Sequence, residues 1–144
     1  MKRVCAWCSK VLGYVKGGAK GDVLLTFVIQ EHEALRAGWH HDLRLERNGV
    51  LKSWAVPKGV PEESRVRRIA IPVEDHFLSY GKFKGKIPEG QYGAGKVRIW
   101  DRGTYEVKSW SDTKIEVTFH GKRLSGDYIL RWMEAMNRWL LWKR

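Results

Sequence analysis

The chain is poor in cysteine and proline, with two and four in 144 residues, and it has no uncharged apolar stretch near the ~20 residues a membrane span needs. So little cysteine excludes a disulfide scaffold. Cys5 and Cys8 form a lone CxxC, with no second pair to complete a four-ligand zinc site and no βαβ pattern around it. That pair is expected to stand outside the main chemistry. No apolar block with a cleavage site opens the chain, so a soluble, cytoplasmic protein with no membrane partner is expected. Acidic residues are scarce too: 16 Asp and Glu face 27 Lys and Arg, for a net charge of +11. Residues 1–72 carry +6 and residues 73–144 carry +5, so the excess is spread along the chain. This balance points to a polyanionic partner, with nucleic acid first. Tryptophan, by contrast, is plentiful. Eight suit aromatic-rich strands, with base stacking as a second use.

Residues 1–22 are basic, contain glycine and show no period, and read as a weakly ordered arm carrying the CxxC. Residues 23–144 read as one domain. Val23–Gln30 is a β-branched apolar run and predicts a buried strand, after which Glu31–Trp39 breaks the pattern as a loop or helical turn. His40–Arg47 alternates and is followed by Asn48-Gly49, a pair that accepts the positive φ angles of a type I′ turn, so Val50–Val56 should return antiparallel. Val66–His76 reads as a further extended run, and Gly81–Gly95, with five glycines and Pro88, as a long ordered loop. Arg102-Gly103 is expected to turn a hairpin between Lys96–Asp101 and Thr104–Lys108. Lys114–His120, Asp127–Trp132 and Arg138–Lys143 complete the set. The expected fold is all-β and mainly antiparallel: a small closed or nearly closed barrel of about eight strands with a long Gly-rich loop.

Side chains two apart on a strand share a face, so His40, Asp42, Arg44 and Glu46 line one side of their strand. A two-residue turn pairs positions 47 and 50, which sets Asp42 opposite Ala55 and Arg44 opposite Ser53. The other face, with Leu43, Leu45 and Trp54, is bulky and apolar. A polar strand face is ordinarily a solvated exterior. Imidazole, carboxylate and guanidinium on successive same-face positions suit metal and anion binding better. His32, just upstream at a strand end, is placed to fold back as a third ligand with His40 and Asp42. Such a set accepts Mn²⁺, Fe²⁺ or Zn²⁺ and leaves coordination positions open. Arg44, one pleat along, is placed to neutralise a phosphate. Simple alternation puts Arg68, Glu74 and His76 on one face of their strand. Glu74 could orient a ligand and His76 could donate a proton. Gly90–Gly95 (GQYGAG) lacks the glycine spacing of a dinucleotide fingerprint and is read as a tight structural loop.

Several segments taken in order are similar to a known family. They are Phe27-Val-Ile-Gln-Glu-His32, His40-His-Asp-Leu-Arg-Leu-Glu46, Gly49-Val-Leu-Lys-Ser-Trp-Ala-Val-Pro-Lys-Gly59, Val73-Glu-Asp-His76, Ile87-Pro-Glu-Gly-Gln-Tyr-Gly-Ala-Gly95 and Trp100-Asp-Arg-Gly103. They resemble the 3′-phosphoesterase domain of bacterial DNA ligase D and its free-standing relatives, over roughly residues 23–143. The resemblance implies an Mn²⁺-dependent enzyme on a small β-barrel that heals DNA 3′ ends on primer–templates or duplexes. Such enzymes remove a 3′-terminal ribonucleoside to leave a 3′-phosphate, then remove the phosphate to leave 3′-OH. It implies His32, His40 and Asp42 as metal ligands and Arg44 and His76 as contacts to the scissile phosphate. Lys58, Arg68, Glu74 and Tyr80 would complete the site, although alternation alone puts Lys58 on the wrong face. Ligase and polymerase partners are expected as separate proteins.

The sequence also departs from the family pattern. Seven residues separate His32 from His40, more than the family usually has, so a bulging loop is expected there. His41 stands where Tyr is common, and Ser79 where Asp is common. Two other readings compete: a non-haem Fe(II) oxygenase-like site built on His40, Asp42 and His76, and a nucleic-acid-binding barrel with no catalysis.

Overall fold

Asn48 and Gly49 both adopt positive φ, 53° and 81°, and turn the chain between strands β2 (Gly38–Arg47) and β3 (Val50–Val56). The register follows, with Arg47 opposite Val50, Arg44 opposite Ser53 and Asp42 opposite Ala55. The computed structural model describes residues 25–91 and 93–144. The expected N-terminal arm and its CxxC lie outside the described residues. Around the hairpin stand β1 (Leu25–Ala34), β4 (Arg67–His76), β5 (Gly85–Ile87), β6 (Gly95–Trp110), β7 (Lys114–Gly121), β8 (Ser125–Met133) and β9 (Arg138–Lys143).

Neighbouring strands pair antiparallel in the order β1-β2-β3-β4-β9-β8-β7-β6, and β6 pairs back onto β1. The all-β barrel is therefore closed, with eight strands, and β5 is a short strand on the outer side of β6. Every strand of the ring sends side chains inward: Phe27 and Ile29, Leu43 and Leu45, Trp54 and Val56, Ala70, Tyr105, Val117 and Phe119, Tyr128 and Leu130, and Leu141. An eight-stranded barrel is just narrow enough for side chains to fill it. Two buried phenols find backbone acceptors, Tyr105 donating to Glu46 O (2.5 Å) and Tyr128 to Pro61 O (2.6 Å). No helix among the described residues is long and apolar enough to cross a membrane.

Three expectations need correction. First, β1 does not end at Gln30 but runs to Ala34, and residues 35–37 make a tight turn into β2. His32 is thus a strand residue directly opposite His40. The longer His32–His40 segment extends the ladder to Ala34 opposite Gly38 and needs no bulging loop. Second, Arg102-Gly103 is not a turn, because β6 passes straight through it. A Cβ on Gly103 would collide with the His120 carbonyl of β7, so glycine there serves close strand approach. Asp101 beside it caps the β7–β8 turn, its carboxylate accepting the N–H groups of residues 122, 123 and 124. Third, β4 carries an irregularity: Val73 lies opposite Ser53 but His76 lies opposite Leu51, so the extra residue resets the alternation. Arg68, opposite Leu141 of the core, is on the inner face, while His76 is on the outer one.

Candidate metal and phosphate site

The outer faces of β1, β2 and β3 carry the polar residues, yet this surface is not solvated. The segment after β4 folds over it: a 3-10 turn (Leu78–Lys82), β5 and the Gly-rich stretch beyond. Leu51, Phe77 and Tyr80, with Leu78 and Phe83 packed alongside, form a small second core there. Beneath this cover His32, His40, Asp42, Arg44 and His76 are each at most 8% exposed.

His32 and His40 face each other across β1 and β2, with ring centroids 4.7 Å apart. Asp42, two residues along β2, reaches both imidazoles. Its Oδ2 lies 3.0 Å from His32 Nδ1, and its Oδ1 lies 3.1 Å from His40 Nε2. The far ring nitrogens meet main-chain carbonyls: His32 Nε2 at 2.7 Å from Gly93 O, and His40 Nδ1 at 3.1 Å from Gly38 O. Each imidazole therefore meets an acceptor on both nitrogens. A neutral imidazole donates only once, so donation to the carbonyls turns the two lone pairs toward the carboxylate. Such a pocket is satisfied by protonating both rings or by a cation between the three side chains. The three donor atoms lie within 4.8 Å of one another, and outer N–H groups anchored on carbonyls are how metal-bound histidines are ordinarily oriented. The donor set therefore fits a divalent metal.

The electrostatics agree. Burial alone would raise the Asp42 pKa, but the Arg44 charge and the hydrogen bonds from His32 and His40 hold it far below the usual carboxylate range. Burial works to lower the His40 pKa. The Asp42 hydrogen bond and charge, with the Gly38 carbonyl, outweigh it and hold His40 above its ordinary value. His41 sits on the inner face against Trp39 and Trp100, its Nδ1 accepting the Val60 N–H, and burial pushes it down to about 4.

Arg44 is the hub. Its Nε donates to Gln30 Oε1 (2.6 Å), Nη1 to Ser53 Oγ (2.9 Å) and Nη2 to Asp42 Oδ2 (3.2 Å). Nη1 also lies 3.0 Å from His76 Nδ1, which is 3.0 Å from Glu74 O. Tyr80 stacks on His76 at 4.6 Å, and the Arg44 guanidinium carbon lies 4.8 Å from the Tyr80 ring centre. The fold thus gathers His32, His40, Asp42, Arg44, His76 and Tyr80. It does not gather the other three. The Glu74 side chain is exposed, leaving only its carbonyl at the site, Lys58 is exposed in the turn after β3, and Arg68 is on the inner face.

Residues 30–131 match the DNA Ligase D 3'-phosphoesterase domain. The chain belongs to that family. The match takes in every residue of the cluster. Among its relatives is a multifunctional non-homologous end joining protein LigD of Mycobacterium bovis, 52% identical over 80% of this chain and 15% of that protein. Another, from Pseudomonas aeruginosa, is 54% identical over 74% of this chain and 13% of its own length. A third, from Mycolicibacterium smegmatis, is 46% identical over 79% of this chain and 16% of its own. The chain thus corresponds to a small part of these large LigD proteins.

Three residues of this phosphoesterase-family site escaped sequence reading. Gln30, fully buried, receives Arg44 and donates to the carbonyls of Tyr80 (2.9 Å) and Phe83 (3.1 Å), tying the covering turn to the hub. Its signal was available: a polar residue closing an apolar run, at the same parity as His32. Ser53 is predicted opposite Arg44, but alternation alone assigns its hydroxyl no role. Gly93, which orients His32 by its carbonyl, carries no side chain to read.

Proposed function

We propose that the chain is a metal-dependent DNA 3′-phosphoesterase that removes 3′-terminal ribonucleosides and then 3′-phosphates, leaving 3′-OH ends. The observation that carries this reading is the doubly anchored His32–His40–Asp42 trio packed against the Arg44–His76 pair. A divalent cation held by the trio, Mn²⁺ in this reading, supplies Lewis-acid polarisation of a non-bridging phosphate oxygen.

The chain's own residues do the rest. Asp42 and the two carbonyl-anchored imidazoles hold the negative side of the site rigid. Arg44 uses four of its five N–H groups among the described residues, so its remaining Nη2 hydrogen is available to a phosphate oxygen. Gln30 and Ser53 fix the plane of the guanidinium, so no reorganisation is needed as charge develops. His76 has two settings. With its hydrogen on Nε2, Nδ1 accepts from Arg44; protonated, Nδ1 donates to Glu74 O. In either setting the ring stands beside Arg44, from where it would serve as the proton donor to the departing oxygen, and Tyr80 holds it in place by stacking. Water adds to phosphorus while the bond to the ribonucleoside 5′-oxygen breaks, leaving a 3′-phosphate. A second hydrolysis releases inorganic phosphate. Lys58 and the Glu74 side chain, both exposed, are left as outlying contacts to the substrate, and Arg68, on the inner face, has no part in this reading.

The substrates are DNA primer–templates or duplexes with unready 3′ ends. A ligase or polymerase uses the product, and the work is cytoplasmic. The test is a 5′-labelled primer–template ending in one ribonucleotide, incubated with Mn²⁺. Conversion to the 3′-phosphate and then to the 3′-OH product, lost in EDTA and in His40→Ala, is expected. An untouched primer in Mn²⁺ rejects the reading.

A further inference from the structure

Opposite the metal-site face, the same strands carry a second surface. Trp39 of β2 stands opposite Glu33 of β1, Glu33 opposite Lys96 of β6, and Lys96 opposite Lys86 of β5. Residues directly paired across strands point to the same side, so these four make one row on one face. Because neighbours along a strand alternate, His32 and His40 are on the other. Three strand spacings separate the ends of the row, about 14 Å.

The row is chemically lopsided. Trp39 is 44% exposed and Leu35 beside it 64% exposed. Lys84, Lys86 and Lys96 are exposed, and no carboxylate among the described residues pairs with them. The two acids of this face are taken up instead by Arg98, at 3.6 Å from Glu31 and 3.3 Å from Glu33. Two open grooves of about 450 and 500 Å³ abut here and share Lys86 and Lys96. One reaches Lys84 and Arg98; the other reaches Leu35 and Trp39.

We propose that this face is a track for an unpaired DNA strand, whose phosphates run along Lys84, Lys86 and Lys96 while one base stacks on the Trp39 indole. Aromatic surface beside uncompensated lysines is what a single strand offers partners for, since it presents anionic oxygens and free π-faces together. A duplex keeps its bases stacked and has no use for the indole. An acidic peptide would use the lysines alone. The track ends one residue from His40 at the β1–β2 turn, so a strand lying on it meets the edge of the metal site. The proposal rests on the 3′-end reading above and specifies what lies beside the primer end in that reading: an unpaired stretch of strand.

The experiment is fluorescence anisotropy of a labelled oligothymidylate and of a blunt duplex, in EDTA so that nothing is cleaved. Trp39→Ala should weaken single-strand binding about tenfold or more, with Trp39→Phe restoring most of it and duplex binding unmoved. The surface double variant Lys86→Gln/Lys96→Gln, which touches no core contact, should reduce the salt dependence by about 1.4 in log–log slope, or ~0.7 per lost phosphate contact. Wild-type single-strand affinity in Trp39→Ala, an equal loss for duplex, or an unchanged salt slope in the lysine variant overturns the track. Cleavage of the chimeric primer is scored separately on wild type. A chain that binds through Trp39 but never cleaves sinks the phosphoesterase reading alone, and one that cleaves with Trp39→Ala binding unchanged sinks the track alone.

Discussion

Asp42→Asn keeps the side chain's shape and removes only its charge, at a position 5% exposed. Arg44, 2% exposed, would then lack its counter-charge, because none of its other partners, Gln30, Ser53 and His76, carries a negative charge. Removing one member of a buried ion pair costs typically ~3–5 kcal/mol. Arg44 keeps its neutral hydrogen bonds, so the lower end of that range, about 3 kcal/mol, is expected. For a domain of this size each kcal/mol shifts Tm by roughly 2–4 °C, which puts the variant about 6–12 °C below wild type. The assay is thermal unfolding by circular dichroism at pH 7 in EDTA. Adding Mn²⁺ should then raise the wild-type Tm and leave the variant where it was, since only a ligand that binds the folded state stabilises it. The depressed Asp42 pKa also fixes a sign. Its stabilisation is present above about pH 4, the unfolded carboxylate range, and is lost as pH falls toward the folded value, in wild type only. A variant that melts with wild type in EDTA, or that still gains from Mn²⁺, refutes the reasoning.

Gly93→Ala introduces a side chain at φ +77°, with its Cβ 3.4 Å from His32 Cε1. Shifting the carbonyl that orients His32 should weaken Mn²⁺ affinity about 10–100-fold, read by metal titration. Gln30→Leu strands the Arg44 Nε–H and removes one donor from the Tyr80 and Phe83 carbonyls, the first of which keeps the Phe83 N–H. Urea unfolding should show a loss of ~2–4 kcal/mol, and unchanged stability would show that the clamp is idle. His41, held at about 4, stays neutral in the fold while the unfolded chain takes a proton below about 6.5. Stability should therefore fall by up to ~3 kcal/mol as pH drops from about 6.5 to 4, and His41→Gln should flatten that slope.

Alternation and one dipeptide made the β2–β3 hairpin legible. Once Asn48-Gly49 set the turn, each pair from Arg47 and Val50 to His41 and Val56 followed by counting. The same counting failed on β4, because a single extra residue between Val73 and His76 reverses parity and leaves no mark in composition. His76 was therefore grouped with Arg68, which the barrel turns inward. His32 reads as lying past the end of its strand because Glu31 and Glu33 look like a loop. They are instead exposed or half-buried neighbours of a buried histidine on a strand whose faces differ. Glycine was ambiguous in the same way: Gly49 turns the chain, whereas Gly103 only makes room for a neighbouring strand. The candidate ligands were readable because each carries its own chemistry. Gly93, which contributes a backbone oxygen, was not.

The most direct measurement is Mn²⁺ stoichiometry, following the free-ion electron paramagnetic resonance signal as protein is added. Wild type should take up one ion per chain, and His32→Ala, His40→Ala and Asp42→Ala should each take up far less while keeping the wild-type circular dichroism spectrum. Three folded variants that bind the ion as wild type does would contradict the account.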